Sequence, residues 1–268
     1  MNLRSILNTT LLIMLVATSG AAEEFRLVGT EVHELTSERL SEPVSVAVAL
    51  PFGYRASTSQ FPLLLALDGD VMFGMSAEIP RLLSFEGKVP PMIVATVAYG
   101  DLNTWIQKRQ VDFHPGDGGA EQFLAALEEV VMPFLKAQYR VNNEAVGLYG
   151  HSSAGLFALF AGITAPELFT HILATSPSLE EEPVWAKSFL PLIAGAPVLP
   201  KFFLSSDVSE QAVHAALAPS LSALRQKVGH NRVEYQRVDT GGHMASIPAS
   251  YVSGLHFLFA PAAGAISE

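Results

Sequence analysis

Apolar residues fall along this chain in two kinds of run. Short, nearly unbroken runs at Pro62–Leu67 (PLLLAL), Met92–Tyr99 (MIVATVAY) and Ala145–Tyr149 predict strands covered on both faces. Phe25–Leu35 and Val44–Leu50 (VSVAVAL) also read as strands, the second stopping at the turn residues Pro51 and Gly53. His171–Ala174 and Lys201–Ser205 add two more, and Arg232–Val238 alternates like a strand near a sheet edge. Longer segments follow a helical period. In Gly119–Tyr139, the residues Phe123, Leu124, Leu127, Val130, Val131, Phe134 and Leu135 make one apolar stripe. Ser153–Gly162 is apolar all round and predicts a buried helix; Ser209–Val228 and Ala249–Phe259 complete the set. Strands alternating with helices predict an α/β fold, with a central, mostly parallel sheet flanked by helices on both faces.

One apolar run stands apart. Arg4, the stretch Leu11–Ala17 (LLIMLVA) and the small residues Gly20-Ala21-Ala22 read as a secretory signal peptide cut after Ala22. Its apolar part is too short to span a bilayer; a retained N-terminal anchor is the second reading. Residues 1–22 are thus expected to be removed, leaving 23–268 as a single domain exported to the periplasm or the extracellular space, with no stable membrane insertion.

Charge narrows the partners. The chain has 16 Lys and Arg against 26 Asp and Glu, and its basic residues form no run. Nucleic acid and anionic membranes are therefore poor partners, and a small molecule is the expected one. Nothing in the sequence selects an oligomeric state. The absence of cysteine excludes a thiol nucleophile, a disulfide and a Cys-ligated zinc. No H-E-x-x-H or paired-histidine spacing occurs, so neither a metal nor another cofactor is implied.

In mostly parallel sheets, chemistry sits beyond the C-terminal ends of the strands. Four predicted strands end in polar residues: Asp68-Gly69-Asp70, Gly150-His151-Ser152-Ser153, Ser206-Asp207-Val208-Ser209-Glu210, and Asp239-Thr240-Gly241-Gly242-His243. Serine, acid and histidine follow one another in the chain order of α/β hydrolases. A serine hydroxyl needs a base to become a nucleophile, histidine exchanges protons near neutral pH, and a carboxylate holds the imidazole in its useful tautomer.

The segment LYGHSSAGLF offers two serines. A nucleophile on a tight strand-to-helix turn needs small residues two positions to either side. Gly150 stands two before Ser152, with Ala154 two after it, whereas Ser153 would have His151 two before it. Ser152 is therefore read as the nucleophile and the Ser153 N–H as one oxyanion donor; the alternative is a serine that only caps the helix. His243 is the base, because it alone follows the last strand after two glycines. His33, His171, His214 and His256 lie inside predicted elements, His114 and His230 lie in loops away from the crevice, and His151 lies in the turn itself. Asp207 and Glu210 both follow the right strand, and the choice between them stays open, since Glu210 could simply face a helix dipole.

These residues resemble the putative esterase family of α/β hydrolases, which includes esterase D, ferric-enterobactin esterases, feruloyl esterase domains and mycolyltransferases. VALPFGY with FPLLLALDGD, then RQVDFHPGDGGAEQFLAALEEVVMPFLKAQYRV, LYGHSSAGLFAL and GGHMASIPASYVSGLHFLF match its segments in order over nearly the whole mature chain. The departure is Ala154, where the family has glycine. The resemblance implies Ser152 as nucleophile, His243 as base, Glu210 as acid and the backbone of Asp70 as second oxyanion donor. Because the family usually has glycine at Asp207, that residue stays the alternative acid.

The resulting expectation is an exported serine esterase that hydrolyses a carboxylic ester through an acyl-enzyme. Acyl transfer to an alcohol would use the same residues. A ferric-siderophore esterase ranks below an enzyme for uncharged esters, because few basic residues are available to an anionic complex. A non-catalytic binding protein on a hydrolase fold is the contrasting class. Phe73, Trp105 and Trp185 are candidates for an acyl or aromatic pocket, with general core packing as the alternative.

Overall fold

Leu63, Leu65 and Leu67 turn to one side of the central sheet, and Leu64 and Ala66 to the other, all fully buried. A strand clothed on both faces has no polar alternation, which is why PLLLAL reads as it does. Each such leucine contributes roughly 2 kcal/mol by leaving water. In the computed structural model, which describes residues 26–38, 42–180 and 183–261, this strand is β3 (Phe61–Ala66). It lies within one sheet with β1 (Thr30–Leu35), β2 (Val44–Ala49), β4 (Ile93–Ala98), β5 (Val141–His151), β6 (His171–Thr175), β7 (Lys201–Asp207) and β8 (Val233–Val238). The order is β1-β2-β4-β3-β5-β6-β7-β8. β2 runs antiparallel to both β1 and β4, and the six strands from β4 to β8 are parallel. This is the α/β-hydrolase arrangement that the sequence predicts.

Helices cover both faces. Residues of α1 (Gly69–Phe85) and α8 (Ile247–Phe259) pack with Leu64, Tyr149, Leu173 and Phe203 in the smaller core. The larger core joins the opposite face to α3 (Ala120–Ala126), α4 (Met132–Gln138), α5 (Ser153–Thr164), α6 (Pro183–Gly195) and α7 (Gln211–Val228). α5 is buried from Ser153 to Ile163, matching its all-round apolar sequence.

The helix expected over Gly119–Tyr139 is realised in three parts, α3 and α4 being joined by a π-helical segment, Leu127–Val131. Pro133 has no N–H to return to the Glu129 carbonyl, and the wider turn before it accommodates that loss. α1, α2 (Leu102–Asp112) and α6 have no counterpart in the sequence reading. α2 buries none of its residues and has no apolar stripe. Pro80 stands inside α1 and Pro191 inside α6.

The proposed signal peptide, residues 1–22, lies outside the described residues. Among the described residues no helix is long and apolar enough to cross a membrane.

Candidate active site

The parallel strands bring their C-terminal ends to one edge. β5 ends at His151 and α5 begins at Ser153, so Ser152 alone makes the turn. It does so at φ 62° and ψ −125°, a left-handed conformation that costs a non-glycine residue about 1–3 kcal/mol. Backbone hydrogen bonds to β6, to α5 and to the loop after β6 hold it there. Ser152 N–H donates to the Thr175 carbonyl (3.0 Å), and its own carbonyl accepts from Leu156 N (2.9 Å) and Ser178 N (3.2 Å). Its hydroxyl lies 3.2 Å from Ser178 Oγ.

The acid turn follows β7. Glu210 stands at the start of α7 without capping it. Its side chain turns instead to the histidine loop, where Oε1 lies 2.5 Å from His243 Nδ1. A carboxylate only accepts, so Nδ1 carries the proton and Nε2 is left as the basic nitrogen. Glu210 Oε2 accepts from Ser176 Oγ (2.7 Å) and the Asp207 N–H (2.6 Å). The carboxylate is 11% exposed and the imidazole 39%, so the acid is enclosed while the base is partly open to solvent.

Asp207 is fully buried, and its hydrogen bonds go elsewhere. Oδ1 accepts from Ser209 N and Oγ (2.9 and 2.6 Å), and Oδ2 from Thr240 N and Oγ1 (3.0 and 2.9 Å). The Ser209 and Thr240 donors hold its carboxyl well below the usual carboxylate range. Of the two candidate acids, Glu210 is the one joined to His243.

His151 packs its ring 4.5 Å, centroid to centroid, from that of His243. Burial, with His243 and Arg109 nearby, pushes its pKa down to about 3, so it is neutral. Its Nδ1 pairs with Thr175 Oγ1 (2.9 Å).

Asp70 lies in the first turn of α1, where a backbone N–H has no acceptor within the helix. Its carboxylate accepts from Tyr99 N (2.9 Å) and Gly100 N (2.8 Å), so the side chain points to the end of β4. Asp68, at φ 56°, is tied to α2 by Trp105 Nε1 (2.7 Å) and Arg109 Nε (3.0 Å). Trp105 therefore braces the turn that presents Asp70. Phe73 packs half-buried on the smaller core. Trp185 meets Phe160 and Phe189 edge-on or tilted, and faces the 114–118 loop across a shallow hollow. Phe73 and Trp185 each pack, partly buried, against one of the two cores. Among the described residues no three His, Asp or Glu side chains are grouped to hold a metal ion.

Ser176 and Ser178 escape the sequence reading, and Ser209 and Thr240 enter it only as strand-end residues without a role. The first two follow β6 in the stretch Thr175-Ser176-Pro177-Ser178. The strand-end rule that finds the other four turns would have reached this one as well.

The family model described as Putative esterase matches residues 37–233. This chain belongs to that family. Among proteins similar to this chain is the ferri-bacillibactin esterase BesA of Bacillus subtilis (strain 168), 25% identical over 194 residues, 64% of each protein. Another is the siderophore triacetylfusarinine C esterase of Aspergillus fumigatus, 29% identical over 168 residues, 57% of each. The match thus spans less than two-thirds of either relative. In fold, this chain is similar to the BES protein from Bacillus cereus, with a TM-score of 0.77 at 23% identity, covering 90% of this chain and 99% of that one.

Proposed function

We propose that the protein is an exported serine esterase, and that the Glu210–His243 hydrogen bond beside the strained Ser152 turn is the observation that carries this reading. With Nδ1–H directed at Glu210, His243 Nε2 takes the proton from Ser152 as its Oγ attacks the ester carbonyl. Rotation about the Ser152 Cα–Cβ bond releases the hydroxyl from Ser178 for that transfer. The Ser153 and Asp70 N–H groups stabilise the oxyanion. The tetrahedral intermediate collapses, the alcohol leaves with the proton from His243, and Ser152 holds the acyl group. Water, deprotonated by the same nitrogen, then releases the acid and restores the enzyme. Export rests on the signal-like pattern of residues 1–22.

The names of the similar proteins support an ester linkage of a siderophore as the substrate. Charge selects within that class. Arg109 is engaged by Asp68, Arg237 by the Val208 carbonyl, and Lys108 lies 3.8 Å from Glu42. A metal-free or uncharged ester fits these surroundings better than a highly anionic ferric complex.

A fluorophosphonate probe and a panel of p-nitrophenyl esters test the reaction. The purified protein should label once and hydrolyse the esters. Ser152→Ala should lose both, whereas Ser153→Ala should keep labelling and retain activity within about tenfold, because its contribution is a backbone N–H. Labelling that survives in Ser152→Ala overturns the assignment.

A further inference from the structure

Asp207 is an unusual carboxylate: fully buried, charged, and not facing the base. Burying a charge is costly unless every lone pair finds a donor. Here the two oxygens receive four hydrogen bonds, sorted by origin. Oδ1 takes both of its donors from Ser209, in the turn that carries Glu210. Oδ2 takes both from Thr240, in the loop that carries His243. The backbone N–H of Asp207 donates to Glu210 itself. The end of β8 is drawn in as well, since Val208 N donates to the Val238 carbonyl at 2.8 Å.

We propose that Asp207 is a positioning residue that clamps the acid turn to the histidine loop and so sets the Glu210–His243 distance. It touches neither substrate nor reacting atoms. The clamp needs a carboxylate, because two of its four donors are backbone N–H groups that cannot reverse. An amide would turn its NH₂ toward one of them. The Ser209 and Thr240 bonds hold the carboxyl ionised throughout the range in which a histidine titrates.

The proposal rests on Glu210 being the acid, and the test separates the two ideas. Asp207→Asn, Thr240→Val, Thr240→Ser, their Asn/Val double variant and Glu210→Gln are compared on p-nitrophenyl butyrate, with active sites counted by fluorophosphonate. Asp207→Asn should lower kcat per labelled site about 10- to 100-fold and change KM less than about threefold. The acidic limb of its kcat/KM profile should move to lower pH, because a misplaced Glu210 stabilises the imidazolium less. Thr240→Val should lose about three- to tenfold, Thr240→Ser should match the parent, and the double variant should lose less than the product of the singles. Unchanged kcat per site and an unmoved pH limb in both Asp207→Asn and Thr240→Val overturn the clamp, whatever happens to thermal stability. If Asp207→Asn fails to fold, Thr240→Val alone decides by the same readings. Activity lost in Asp207→Asn but kept in Glu210→Gln instead overturns Glu210 as the acid, and the clamp with it.

Discussion

The carbonyl oxygen of Ala154 stands 2.0 Å from where a β-carbon on Gly150 would be. Real β-carbons do not approach backbone that closely, so the turn around Ser152 closes only with glycine at 150. The second close approach is at Gly155, whose β-carbon would meet the Thr175 carbonyl at 2.7 Å. Ala154 itself is buried with its methyl accommodated, at 1% exposure. The departure from the family pattern therefore falls where one methyl group fits. Gly150→Ala should destabilise the protein by about 3 kcal/mol and abolish fluorophosphonate labelling. Ala154→Gly should cost about 1 kcal/mol, as expected for that change in a helix, and leave labelling intact. Thermal unfolding with a labelling assay reads both; a stable, labelled Gly150→Ala variant would show that the elbow can relax.

The acid can be tested in two steps of different size. Glu210 has three hydrogen-bond partners: His243, Ser176 and the Asp207 N–H. Glu210→Gln keeps the shape but removes the charge that stabilises the imidazolium. It should lower kcat at least about 100-fold, yet less than Ser152→Ala, since the base can still act. Ser176→Ala removes one neutral donor to the carboxylate and should lower kcat about three- to tenfold. Circular dichroism confirms folding in each. Equal kcat in Glu210→Gln and the parent would return Glu210 to the dipole role that its place at the start of α7 suggests.

The physical reason some of this was legible in the sequence lies in what each element buries. β3 and α5 are apolar on every side because both are enclosed, so their sequences declare them. α2 declares nothing by periodicity, since it buries no residue; its one local signal is Asp101, which caps Asn103 N (2.9 Å) and Thr104 N (3.1 Å). At the site, Ser152, Glu210 and His243 are residue types whose chemistry is recognisable at strand ends. Ser176, Ser178 and Thr240 are ordinary hydroxyls, and only three-dimensional proximity gives them a part. The same is true of Asp207: chain position places it beside Glu210 as a rival, and its hydrogen bonds to Ser209 and Thr240 show the different part it plays.

One buried and one half-buried histidine make stability depend on pH. Burial lowers His151 from its usual 6.5 to about 3, and burial with Lys201 and Arg232 nearby lowers His171 to about 4. Between those values and 6.5 the unfolded chain binds protons that the folded protein excludes. Stability therefore rises with pH across this window and falls as the solution is acidified, by up to about 1.4 kcal/mol per pH unit for each histidine. His171 stacks on Phe259 at 4.8 Å, so His171→Phe keeps a ring there and removes a titrating group. Urea unfolding at about pH 7 and about pH 5 should show a smaller acid loss in His171→Phe than in the parent. Identical losses would mean that His171 is not held neutral.

Substrate charge is the property that the site's surroundings select most directly. The connections at the active edge bear Asp101, Asp112 and Asp239, while the cations among them are already engaged: Arg109 with Asp68, Arg237 with the Val208 carbonyl. Asp112 is half-buried against the Tyr99 hydroxyl at 2.7 Å, and burial raises its carboxyl above the usual range. Asp101 and Asp239 repel an approaching anion, and among the described residues Arg109 is already neutralised by Asp68. Two esters of equal chain length isolate that effect: p-nitrophenyl butyrate, which is neutral, and p-nitrophenyl hemisuccinate, which ends in a carboxylate. At low ionic strength kcat/KM for the hemisuccinate should be about tenfold lower, with the difference mainly in KM. Raising the salt to about 0.5 M should bring the two together, because screening acts on exposed charges over roughly a Debye length. A gap that ignores salt would assign the preference to pocket shape. A preference for the hemisuccinate that salt weakens would mean that the site recruits a cation for anionic esters, leaving the serine chemistry intact and moving a ferric complex to the front of the substrate list.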